Sequence, residues 1–245
     1  MGSDSPTTNE LPRHYGSELV YLPSLETKSC RILNLPCFIL STHSANEGFC
    51  GREDILERLA AERLPSKNIW GSGLRQFALC GLGGIGKTEI AREYSRRYKD
   101  SYDTVFWVVA DEIAKLDHYY QQFSLALALE DQSECKSQVV SRELVKIWLS
   151  NPQTHLSGTD ELVNPGQTGS EATWLLILDN ADDPMILANY WPQGSGSVLV
   201  TSHDLLAKSM FTSRPSGLDL GPLSQEDSLS LFKYLTVNEP GNDTG

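Results

Sequence analysis

The stretch Gly81-Leu82-Gly83-Gly84-Ile85-Gly86-Lys87-Thr88 decides the fold. It matches G-x-x-x-x-G-K-[ST], the phosphate-binding loop. Its glycines let backbone N–H groups converge on phosphate oxygens without side-chain obstruction. The loop also opens a helix, whose N-terminal dipole favours an anion. In this pattern Lys87 reaches the β- and γ-phosphates and the Thr88 hydroxyl binds Mg²⁺. The flanks agree. Residues 77–80 (FALC) form a short apolar run entering the glycines, and residues 88–99 have helical spacing with a basic outer face.

The same letters also satisfy a second pattern. Gly81-x-Gly83-x-x-Gly86 fits the dinucleotide fingerprint, and Asp111 closes the next apolar run where a ribose-binding acid could stand. Asp111 lies 25 residues past Gly86, and that pattern has no use for Lys87 and Thr88.

Working outward, apolar runs at 105–110 (VFWVVA), 174–178 (WLLIL) and 197–201 (SVLVT) predict buried strands, and 218–220 a short fifth. Helices are expected from Arg52 towards Pro65, over 119–129, over 141–149, and from Gln225 to about residue 235. Ser224 is the N-cap of the last, with Asp227 as capping-box partner. Continuous apolar strands alternating with helices predict an α/β fold with a parallel sheet covered on both faces. Residues 1–48 are polar and read as a largely disordered arm, with an apolar segment after residue 31 as a strand or packed arm. Residues 151–173 read as a disordered insertion, and 238–245 as a tail.

The run WLLIL leads into Asp179-Asn180-Ala181-Asp182-Asp183. A carboxylate at the C-terminal end of a buried strand is where P-loop proteins hold Mg²⁺, so Asp179 joins Thr88 as a metal-site candidate. Asn180 follows it, and an amide cannot take a proton from an attacking water. Trp107 reads as core, and Arg92, Arg96 and Arg97 as a solvated face.

Composition bounds the partners. The 245 residues carry 20 basic and 32 acidic side chains, a net charge of −12, which argues against general nucleic-acid binding. Residues 51–100 are locally net +3, with 10 basic against 7 acidic side chains, so the anion site is expected there. The five cysteines, Cys30, Cys37, Cys50, Cys80 and Cys135, include no CxxC pair and read as thiols of a reducing compartment. His14, His43, His118 and His155 lack metal-ligand spacing. No apolar run approaches the ~20 residues needed to span a bilayer. A cytoplasmic protein without membrane partners is expected.

Taken in order over 36–235, the motifs resemble the NB-ARC family, the nucleotide-binding switch of plant resistance proteins, apoptotic adaptors and fungal NLR-like STAND ATPases. Phe49-Cys50-Gly51-Arg52-Glu53 resembles its hhGRE element, and 81–88 its GxGGxGKT loop. WLLILDNADDP (174–184) resembles the Mg²⁺ strand, YWPQGSGSVLVTSHD (190–204) the sensor strand, and GPLSQEDSLSLF (221–232) the segment after it. The resemblance implies a five-stranded parallel sheet of order 5-1-4-3-2, with nucleotide at the C-terminal ends of strands one, three and four. It implies that Phe49 and Arg52 border adenine. Gly81, Gly83, Gly84, Ile85, Gly86, Lys87, Thr88 and Glu89 would line the phosphates, and Lys87 and Asp179 would be the catalytic pair. The ligands implied are ATP or ADP with Mg²⁺.

His203 stands where the family has a γ-phosphate-sensing Arg, and supplies neither Arg's fork nor its permanent charge. With Asn180, this implies slow or no hydrolysis. The family pattern continues into a GLPLA-containing helical domain and a winged helix. This sequence ends at Gly245 before either, which implies truncation after the nucleotide-binding domain. The function implied is an ADP/ATP-binding switch module in signalling or innate-immunity-like responses. Two alternatives are a non-catalytic interaction protein pairing with copies of itself or full-length relatives, and an active ATPase or kinase.

Overall fold

The computed structural model describes the chain except residues 1–10, 16–17, 23–30, 43–45, 64–72, 134, 136, 157–170, 211–215 and 238–245. Much of the expected N-terminal arm, the centre of the expected insertion and the tail therefore lie outside the described residues. Within the arm, β1 (Leu11–Tyr15) and β2 (Glu18–Leu22) pair antiparallel. Further on, β3 (Arg31–Ile32) precedes β4 (Cys37–Ile39). Then follow α1 (Glu53–Arg63), β5 (Leu74–Cys80), α2 (Lys87–Tyr98), β6 (Thr104–Val109), α3 (Ile113–Ala126) and α4 (Gln138–Ser150). The last part holds β7 (His155–Leu156), β8 (Trp174–Asp179), α5 (Pro184–Leu187), β9 (Gly196–Ser202), β10 (Gly217–Asp219) and α6 (Gln225–Val237).

The main sheet has the order β10-β5-β9-β8-β6-β4, with every neighbouring pair parallel. The five expected strands stand in the expected order. The correction is a sixth: β4 pairs with β6, Cys37 opposite Thr104. Without it β6 would be an edge with a row of unpaired backbone groups, so even a three-residue strand has a place there. Three residues are too few to carry a periodic signal.

The alternation of side chains along each strand divides the core in two. Ala78, Phe106, Val108, Trp174, Leu176, Leu178, Val198 and Val200 face α3 and α4, meeting Leu116, Tyr120, Phe123, Leu144 and Trp148. Phe106 stacks on Phe123 with ring centroids 4.2 Å apart. Phe77, Leu79, Val105, Trp107, Leu175, Ile177 and Leu199 face α1 and α2, meeting Ile55, Leu56, Leu59, Ile90 and Tyr94. Strands buried on both faces read as unbroken apolar runs for this reason. Trp107 is core, as expected. The start of α3 differs from expectation: it begins at Ile113, six residues before the predicted position, because its first turns (IAKLDH) are mixed in polarity.

The arginines of α2 are a further correction. Arg96 and Arg97 converge on the buried Glu93 carboxylate, at 2.6 Å and 2.5 Å, and Arg97 also holds Glu53 of α1 at 2.6 Å. Arg97 thus ties α2 to α1, while Arg96 pairs with Glu93 along α2 and stays about half exposed.

Candidate functional site

The sheet order brings three strand ends together. β5 ends into residues 81–86, β8 ends at Asp179, and β9, which lies between them, ends at Ser202 with His203 next. In open parallel sheets this carboxyl edge is where ligands bind.

Gly81 and Gly86 have φ of +144° and +97°, and Gly86 is the N-cap residue of α2, without a side-chain cap. The first N–H groups of α2 are thus left without a side-chain acceptor from the cap position. Around Gly84 and Gly86, no atom lies within 4 Å of where a Cβ would stand. Side chains do not crowd the loop at these two positions, as close approach of a ligand to its backbone would require. Ile85 turns the other way and packs with the α1–α2 half of the core.

Lys87 is 8% exposed, and its ammonium donates to the carbonyls of Gly81 at 2.8 Å and Leu82 at 2.9 Å. Burial pulls its pKa below the usual lysine range, opposed by the charges of Asp182, Cys80 and Asp179. A cation held by neutral carbonyls within its own loop is poised for an anion.

Thr88 Oγ1 donates to Asp179 Oδ1 at 2.8 Å. The same oxygen accepts from Thr201 Oγ1 at 2.6 Å, and Thr201 Oγ1 accepts from the Asn180 N–H at 2.9 Å. Asn180 sits at φ +61°, which turns the chain away from β8 directly after the carboxylate. Asp179 is thereby fixed from two sides. A hydroxyl that donates its proton to a carboxylate still offers lone pairs to a cation. Carboxylate and hydroxyl oxygens suit Mg²⁺, which is usually held by one or two protein groups and substrate phosphates. No cluster of three or more His, Cys, Asp or Glu able to hold a metal occurs among the described residues. Thr88 and Asp179 are a donor pair of the kind that holds such a cation together with phosphate oxygens.

The adenine-side candidates are placed differently. Arg52, at φ +64°, donates to the carbonyl of Gly221 at 2.6 Å, and the Phe49 ring lies 5.9 Å below the Arg97 guanidinium. Glu89 bonds Asn46 and Arg92, at 3.1 Å and 2.5 Å, so its carboxylate is committed on the flank of α2. His203 is brought to the loop: a methyl on Gly83 would stand 3.4 Å from its Nε2. Asp111 is paired with Lys115 at 2.7 Å. It follows β6, which is separated from β5 by β9 and β8, whereas the dinucleotide fold sets its first two strands side by side.

Thr201 and Asp182 are site residues the sequence reading missed. Thr201 carries one faint signal, a hydroxyl at a fully buried position of an apolar strand. Asp182 is one of two acids in the short loop after β8 and gives none.

Among the described residues, no helix is long and apolar enough to cross a membrane. The four described cysteines, Cys37, Cys50, Cys80 and Cys135, are free thiols.

No family model matches the chain. It is similar to a nucleotide-binding leucine-rich repeat (NLR)-like protein of Hyaloscypha variabilis, at 26% identity over 217 residues, 79% of this chain and 19% of that protein. It is also similar to the disease resistance protein At1g50180 of Arabidopsis thaliana, at 29% identity over 86 residues, 34% of this chain and 10% of that one. The chain thus spans a fifth or less of the length of these relatives. Among solved structures it resembles Cdc6p of Pyrobaculum aerophilum (TM-score 0.48, 16% identity, 79% of this chain and 52% of that one). A likeness of the same order joins it to the ORC2 protein of Aeropyrum pernix (TM-score 0.48, 15% identity, 79% and 54%).

Proposed function

We propose that this chain, which is similar to an NLR-like protein over 79% of its length, is an NB-ARC-type P-loop switch module that binds ATP or ADP with Mg²⁺. The observation that carries the proposal is the convergence of Lys87, Thr88 and Asp179, with Thr88 Oγ1 and Asp179 Oδ1 2.8 Å apart. Lys87 neutralises phosphate charge, while Thr88 and Asp179 hold the cation. The cation, when bound, offsets the charge that builds on the phosphates. Gly81, Gly83, Gly84, Ile85 and Gly86 carry the backbone amides of the cradle, and Phe49 and Arg52 border the base. Turnover is slow or absent, since Asn180 offers no proton acceptor and His203 no permanent charge. Signalling of the resistance or incompatibility kind is the cellular role proposed.

Titration with ATP and ADP, with and without Mg²⁺, tests this. Lys87→Ala is expected to weaken ATP binding at least tenfold, with the fold intact by circular dichroism. Equal affinity in the two proteins refutes the assignment.

A second reading, that the chain also pairs with copies of itself or with full-length NB-ARC proteins, is favoured by α6. That helix has no buried residue and exposes Leu229, Phe232, Leu235 and Val237. Sedimentation velocity with and without ATP distinguishes it: a monomer across the concentration range counts against self-pairing.

A further inference from the structure

Asp182 accepts three hydrogen bonds. Its Oδ1 takes the Ser202 hydroxyl at 2.9 Å and the backbone N–H of His203 at 2.6 Å, and its Oδ2 lies 2.7 Å from His203 Nδ1. Burial pushes the Asp182 carboxyl up, but the N–H groups of His203 and the Ser202 hydroxyl outweigh this and hold it below its usual range. It is an anion at neutral pH. A carboxylate against Nδ1 makes that nitrogen the proton carrier in a neutral imidazole, leaving the lone pair on Nε2. Nε2 is the nitrogen that faces the phosphate loop, 3.4 Å from where a Gly83 Cβ would stand. The ring is about half exposed (48%), so water reaches it. The residue after β8, meanwhile, is Asn180, an amide where a base could stand.

We propose that His203 is the proton acceptor for the attacking water in nucleoside triphosphate hydrolysis, with Asp182 as its positioning residue. The proposal rests on the nucleotide-binding function put forward above and names the group that gives that site its turnover. The water oxygen bonds to the γ-phosphorus. The bond from that phosphorus to the β,γ-bridging oxygen breaks, and its electron pair leaves with the diphosphate. The water proton passes to Nε2, and from there to solvent or to the released phosphate. Asp182 keeps the ring oriented, fixes the tautomer and stabilises the imidazolium, and takes no proton itself. The resulting enzyme hydrolyses without an acid beside Asp179.

The test measures ATP affinity and single-turnover hydrolysis on the full chain, its variants checked by thermal melting. His203→Ala is expected to bind ATP as the parent does and to hydrolyse it about 10²–10⁴-fold more slowly, the usual weight of a positioned base. Added imidazole is expected to restore turnover to His203→Gly and none to Lys87→Ala, a rescue that a merely structural role would not give. Asp182→Asn is expected to keep ATP affinity, lose turnover and resist rescue, because its amide turns the imidazole to the other tautomer. Parent-like hydrolysis by His203→Ala overturns the proposal, as does ATP binding by the parent with no hydrolysis at all. Failure of the parent to bind ATP instead sinks the nucleotide-binding function, and this proposal with it.

Discussion

Replacing Thr201 by Val isolates the polar support under Asp179. The two side chains have nearly the same shape, and both suit a strand, so packing in β9 is preserved. What changes is one hydroxyl at a position 1% exposed. It donates to Asp179 Oδ1 at 2.6 Å and accepts the Asn180 N–H at 2.9 Å. Losing a bond to a carboxylate costs about 1.5–3 kcal/mol, and a buried N–H left unsatisfied about 1–3 kcal/mol. The two overlap, since the loop after β8 can relax, and about 3 kcal/mol is the expected total. For a chain of this size that lowers Tm by roughly 6–12 °C. Thr201→Ser, which keeps the hydroxyl, is expected to lose about 1 kcal/mol from the missing methyl. Differential scanning calorimetry of the three proteins reads both values. A Val variant that melts within about 2 °C of the parent, or no higher-melting Ser variant, would refute the account of Asp179 as a carboxylate held by its neighbours.

Two further outcomes are expected. Gly196→Ala places a Cβ 2.1 Å from the Trp174 ring, which is buried and held to the Leu149 carbonyl at 3.1 Å, so denaturant unfolding should show a loss of about 1–3 kcal/mol. Glu93 has its carboxyl held below the usual range, by Arg96 first and then Arg97 against the opposing effect of burial. Its contribution is therefore complete above the unfolded value of about 4.3 and is lost as pH falls through the lower folded value. Urea midpoints across that interval should fall less steeply for Glu93→Gln than for the parent, and parallel slopes would sink this assignment.

The elements legible in the sequence were those with a strong local signature. The loop at 81–88 needs its glycines and lysine wherever it occurs, and strands buried on both faces must be apolar throughout, as β6, β8 and β9 are. A carboxylate ending such a run is a weak signal by itself, and Asp179 stood out only because the run follows a phosphate loop. What escaped depends on distant partners. The segment after residue 31 reads equally as a strand or a packed arm, and β4 is a strand of the main sheet because β6 has an open edge 67 residues on, by the Cys37–Thr104 pairing. Asp182 acquires its meaning from His203, 21 residues away, and Thr201 from Asp179, 22 residues away. Arg97 looked like a surface charge because neither the burial of Glu93 nor the approach of α1 is written in the local pattern. Fold class is a property of segments, whereas a site is made by pairs.

The place of β9 in the sheet bears on how the protein is made. Thr88 and Asp179 are 91 residues apart, and both leave the ribosome before the strand that lies between β5 and β8. Until residues 196–202 insert, β5 and β8 have no spacer, and the hydroxyl and carboxylate have no fixed separation. The phosphate loop is complete in the nascent chain long before it belongs to a site. A site that needs Thr88 and Asp179 side by side is therefore complete only once this central strand is in place.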